Sequence, residues 1–237
     1  MAIFDALVFW LRRQGTFWIL SLAIAGLAAA IAYLIEARRE FGAWRGHWGL
    51  LALFAMIYAL FLDRWIKEAL LDGADACEGV DNLRRSVISP RFVAFAALLI
   101  ALAFAAAEIP VAGAGPALWA ILAAPLALML PSFSAGEPLS PVAALRLGTP
   151  VLLTVLLAIG LATALSLLAV QAAGWFQPEL PRKPWAPAGL AAATTLIDCL
   201  LLALVGHVLA ALYRERSGWQ PPEPEERPYR AMRWRKA

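Results

Sequence analysis

The sequence predicts an all-α fold: a polytopic integral membrane helical bundle of about six transmembrane helices with short amphipathic surface helices. Three observations carry this expectation. Hydrophobic residues make up 62% of the 237 and charged residues 16%, with a mean hydropathy of +0.71, more apolar surface than a soluble core can hide. The apolar residues come in long uncharged runs, not in the alternation of strands or the narrow stripes of soluble helices. The basic residues collect in alternate connections between those runs.

Residues 1–16 read as an amphipathic surface helix. Ile3, Phe4, Leu7, Trp10 and Leu11 draw one stripe that ends at Arg12-Arg13. The first span covers 17–35, without a charge until its end. A cleaved leader is the competing reading, but the run is longer than such a segment carries. The second span, 48–67, is apolar to Leu62 and then meets Asp63, Arg64, Lys67 and Glu68, whose i,i+4 spacing pairs Asp63 with Lys67 and Arg64 with Glu68 at the interface. The stretches 92–109 and 117–131 are shorter and joined by a Pro/Gly-rich turn, so they form two short spans or one re-entrant hairpin. Spans five and six cover 150–173 and 188–213. The segment 214–237, rich in Pro, Glu and Arg, reads as a mobile cytoplasmic tail.

Six spans place fifteen Lys and Arg on the side of the termini and five on the other, which puts both termini in the cytoplasm. Trp18, Trp44, Trp48, Trp65, Trp175 and Trp185 fall near span ends, as an interfacial aromatic belt requires. A weak internal repeat relates Val80, Leu83, Arg84 and Pro90 to Val142, Leu145, Arg146 and Pro150, and predicts two equivalent surface elbows. Gly26 with Ala30, Gly160 with Ala164 and Gly206 with Ala210 have the spacing that brings helices close.

The candidate intramembrane polar site is Asp198 with Thr194 and Thr195, one helical turn before it, and His207. A carboxyl near the middle of a span faces other helices or a wet cavity, and no Lys or Arg lies at matching depth to compensate it. Asp198 is either a proton or cation site or a buried residue that fixes helix contacts. His207 follows nine residues later, about 900° around the helix and about 13 Å along it, so the two face opposite ways. Glu108 marks the far end of the third span. Asp72, Asp75, Glu78 and Asp81 recur every three residues and read as a solvated helix face. Arg227, Arg230, Arg233, Arg235 and Lys236, interleaved with aromatic residues, are candidates for contact with anionic lipid or a partner. The two cysteines form no disulfide framework, no Cys/His cluster has metal-ligand spacing, and no phosphate loop or nucleophile elbow occurs, so no cofactor, metal or catalytic residue is expected. Basic residues that flank apolar spans point to membrane orientation and not to nucleic acid.

At Leu139-Ser140-Pro141-Val142-Ala143-Ala144-Leu145-Arg146-Leu147-Gly148-Thr149, followed by a long span and closed by Leu212-Tyr213-Arg214, the chain resembles the six-span membrane domain of bacterial glycerophosphoryl diester phosphodiesterases and its stand-alone relatives. The likeness covers about 48–216. It implies an α-helical module of the bacterial inner membrane, and it carries over no catalytic residue. The resulting expectation is a non-catalytic inner-membrane protein, the subunit or scaffold of a larger assembly or a homo-oligomer. The alternative is a small transporter or permease-like protein that uses Asp198.

Overall fold

A computed structural model describes residues 2–37, 47–75, 77–107, 114–176 and 185–222. All regular structure among them is helical: α1 (Ala2–Arg12), α2 (Gln14–Ala37), α3 (His47–Leu70), α4 (Glu78–Arg85), α5 (Pro90–Ala107), α6 (Ala114–Ala123), α7 (Met129–Ser134), α8 (Pro141–Gly148), α9 (Leu152–Phe176) and α10 (Trp185–Ser217). The stretches Gln14–Leu34, Pro141–Ala173 and Trp185–Ser217 are long and apolar enough to cross a bilayer. A fourth is added if Glu78–Arg85 and Pro90–Ala103, bent by 50°, count as one broken span.

Among the described residues that is fewer than the six spans expected. In α3 the uncharged run covers 48–62, roughly 22 Å of helix against a hydrocarbon core of about 30 Å, before the charges begin. The fourth stretch changes its winding at Pro125, which lacks an N–H and crowds the preceding turn. There the chain passes through a 3-10 turn, Ala124–Leu126, into the short α7, and the apolar helical stretch Leu118–Ser134 continues across it.

Helix α10 is the hub, packed against α1, α2, α3, α7 and α9. It starts before the expected 188 and runs past 213, ending where Gly218, at φ +70°, takes the left-handed conformation that closes a helix. Gly206 is what lets α10 reach α3: a Cβ there would sit 2.9 Å from Leu62 Cδ1 and 3.4 Å from Ile66 Cγ1. Gly26 and Gly160 meet nothing within 4 Å, so two of the three small-residue pairs bring no helices together.

At one end of the bundle α3 does not emerge into solvent, because α4 folds back over it. Lys67 Nζ lies 2.9 Å from Asp63 Oδ2, as the i,i+4 spacing predicts, but the side chains are 3% and 0% exposed, so the pair is interior. Ser134 Oγ of α7 donates to Asp63 Oδ1 at 2.7 Å, and Lys67 donates to the Ser86 carbonyl at 3.2 Å. Glu68 takes Arg84 of α4 at 3.2 Å and Arg13 at 3.8 Å in place of the expected Arg64. The Arg64 guanidinium donates to the Arg84 carbonyl instead. With Arg214 donating to the Asp72 carbonyl at 3.0 Å, these bonds gather the 13, 63–86, 134 and 214 regions at a single end.

The packing adds detail to three further expectations. Helix α1 packs against α10 with Ala6 and Phe9 buried, and Phe4, Leu7 and Leu11 are left outward. Trp65 belongs to the core and not to a belt: it is fully buried, stacked on Phe61 and edge-on to Phe9 and Phe17, whereas Trp18, Trp175 and Trp185 are exposed. Trp44 and the Trp48 side chain lie outside the described residues. The tail region begins with helix to Ser217 and then a segment laid on the start of α4, where Cys77 Sγ donates to the Pro222 carbonyl at 3.3 Å. Residues 223–237 lie outside the described region.

The two elbows are alike in their caps alone. Cys77 Sγ accepts from the Val80 N–H and Ser140 Oγ from the Ala143 N–H. Ser86 then turns extended, at φ −56° and ψ 142°, so α4 is bent away from α5. Thr149 keeps a helical conformation and α8 runs on through Thr149–Val151 into α9. Val80 is buried while its counterpart Val142 is 59% exposed, so the elbows make different contacts.

Candidate functional site

Helices α3, α5, α6, α7, α9 and α10 do not close completely on one another. Between them lies a cavity of about 880 Å³, toward the upper end of the range of small-molecule pockets. Its walls are aliphatic over most of their area, with Leu99, Ile100, Leu167, Val170, Leu202 and Val205 among them. The aliphatic lining follows from sequence: α5, α6 and α9 are apolar on every face, so whichever face turns inward brings carbon.

The polar part of the lining is small and concentrated on Asp198, near the middle of α10. Ser166 of α9 donates its hydroxyl to Asp198 Oδ1 at 2.6 Å. The Tyr58 phenol of α3 lies beside the same carboxyl and beside Thr195. Thr163 also lines the cavity, but its hydroxyl donates to the Ile159 carbonyl of its own helix at 2.8 Å. Among the described lining residues there is no Lys, Arg or His, so none of them gives the carboxyl a positive partner. A serine hydroxyl and a phenol around one carboxyl make a hydrogen-bonding and charge-pairing site set in an apolar chamber.

The sequence-predicted site residues separate accordingly. Asp198 lines the cavity, and Thr195 is buried beside Tyr58. Thr194 turns its hydroxyl back on the Leu190 and Ala191 carbonyls and does not reach Asp198. His207 is on another face, as the helical arithmetic requires: its ring packs on Phe9 at 4.6 Å between centroids, and its buried Nδ1 has no hydrogen-bond partner. Glu108, Arg227, Arg230, Arg233, Arg235 and Lys236 lie outside the described residues. Among the described residues no group of three or more His, Cys, Asp or Glu is placed to hold a metal ion.

Sequence reasoning missed Ser166, Tyr58 and Trp119. Ser166 could have been found by depth, since it and Asp198 stand at comparable distances from the connection that joins their helices. Trp119 and Tyr58 carry no such signal. Trp119 Nε1 donates to the Leu99 carbonyl at 2.8 Å, tying α6 to α5 across the cavity rim. Compared with protein-family models, with curated proteins and with solved structures, the chain matches none.

Proposed function

We propose that this protein is a small transporter or permease-like carrier, which holds a hydrophobic solute inside its helical bundle against Asp198. The observation that carries the reading is the cavity itself: about 880 Å³ of apolar space around one hydrogen-bonded carboxyl. A carboxyl set at mid-helix solely to fix helix contacts would be packed against its partners, whereas Asp198 borders open volume.

On this reading the chain crosses the bilayer six times, with α3 and α6–α7 as the short crossings and α4 as a bend that leads into α5. Both termini are cytoplasmic, and the lipid bilayer is the partner that its apolar outer surface fits. The bonds that gather residues 13, 63–86, 134 and 214 at one end support an even number of crossings, and the excess of basic residues there supports the orientation. Resemblance to the phosphodiesterase membrane domain favours a bacterial inner membrane.

A non-catalytic subunit or scaffold is the second reading, and the same polar end favours it. There ion pairs and hydrogen bonds tie Arg13 and α4 to α3, and α10 to the turn after α3, which leaves Arg13 and Arg84 partly exposed on a face where another subunit could dock. Native mass spectrometry of the protein released gently from its own membrane separates the two. A small molecule bound at a fixed ratio, and lost in Asp198→Asn, supports the carrier. A foreign protein at fixed stoichiometry with the cavity empty supports the subunit and overturns the carrier.

A further inference from the structure

Resting on the reading of the cavity as a binding site, the geometry points to the class of molecule it takes: we infer that the ligand is a single-chain amphiphile headed by a protonated amine, with no anionic group. Three observations converge on that chemistry. The first is charge. Asp198 is a lining residue, and no Lys, Arg or His stands among the other described ones, so a ligand phosphate, sulfate or carboxylate would meet an acid and no basic group among them. A protonated amine brings the positive partner that the described lining residues leave out, and pairs with the carboxyl among hydrocarbon walls, where the attraction is stronger than in bulk water.

The second is hydrogen-bond accounting. Ser166 donates to Oδ1 and leaves the carboxyl further acceptor sites. An ammonium head has three donors and no acceptor, which suits a carboxyl oxygen and the hydroxyl oxygens of Ser166 and Tyr58 around it. Tyr58 and Trp119 are both among the lining residues, and aromatic rings are surfaces on which a cation is stabilised. The third is shape. The rest of the wall is hydrocarbon from six helices, α7 contributing Leu130, and at about 30 Å³ per water the space equals on the order of thirty waters. One alkyl chain fits this description, whereas a two-chain zwitterion would leave its phosphate without a partner.

The test uses the full chain in lipid nanodiscs, with Trp119 as the reporter. Four bromine-labelled probes of equal chain length are compared at equal mole fraction in the bilayer: a primary amine, the alcohol, the carboxylate, and a phosphatidylethanolamine. Quenching present in the wild type and missing in Trp119→Phe isolates the cavity from the lipid-facing tryptophans. The expected result is saturable quenching by the amine at a concentration at least tenfold below that of the alcohol, with the carboxylate and the phosphatidylethanolamine weaker still. Asp198→Asn should erase the amine's advantage while alcohol quenching persists, which shows that the variant keeps its cavity.

Equal affinity for amine and alcohol overturns the inference but leaves the cavity a binding site, as does an amine preference that survives in Asp198→Asn. Equal binding of the phosphatidylethanolamine or the carboxylate overturns it as well. If no probe quenches Trp119, the carrier reading falls with it. An amine already bound in protein released from its own membrane marks a bilayer lipid as the source. Filling only after addition from water marks a soluble amine, and both results uphold the assignment.

Discussion

Replacing Lys67 by Met tests how much of the bundle depends on one interior charge. In the native protein Asp63 has two partners, Lys67 Nζ at 2.9 Å and Ser134 Oγ at 2.7 Å, and its side chain is wholly buried. Methionine keeps the length and apolar stem of Lys67 but removes the ammonium, so Asp63 is left with one neutral donor and no route to solvent. Breaking a buried pair from one side costs about 3–5 kcal/mol, because the surviving charge is uncompensated. The Ser86 carbonyl also loses its Lys67 bond, at about 1 kcal/mol. The double change Asp63→Asn with Lys67→Met removes both charges, and the amide oxygen still accepts from Ser134. It should therefore be no worse than about 1–2 kcal/mol below wild type, and so more stable than the Lys67 single variant. The assay is equilibrium unfolding of the purified protein in mixed micelles, followed by helical circular dichroism, with the four proteins of the cycle compared. A Lys67→Met protein as stable as wild type would refute the reasoning, as would additive losses in the double variant, since either result means that water reaches Asp63.

Two other pairs of changes probe how the bundle packs. Gly206→Leu should push α10 off α3 and lower stability by roughly 1–3 kcal/mol or more, since Leu62, Ile66 and Trp65 already surround the missing Cβ. Gly160→Leu should change stability by less than about 0.5 kcal/mol, and the two can be ranked by thermal aggregation in detergent. Trp65→Ala should cost about 3–5 kcal/mol in the micelle unfolding assay, whereas Trp175→Ala, on an exposed side chain, should move the midpoint little.

Composition and run length alone identified an all-helical chain with spans long enough for a bilayer, because a membrane demands continuous apolar helix and forbids loose backbone. They located α2, α9 and α10 closely for the same reason. They also singled out Asp198, because a carboxyl in an apolar run is expensive wherever it lies. What they could not supply is which helical face meets which neighbour. Helices α9 and α10 are apolar on nearly every side, so no stripe marks the direction of Ser166 or tells Gly206, which α3 presses on, from Gly160, which nothing touches. The charged end of α3 was misjudged in a related way. Asp63, Arg64, Lys67 and Glu68 look like residues leaving the bilayer, and only the fold of α4 and α7 over them turns two of those charges into an interior pair. Sequence sets the cost of each residue in each solvent, while the contacts between helices decide which solvent that residue meets.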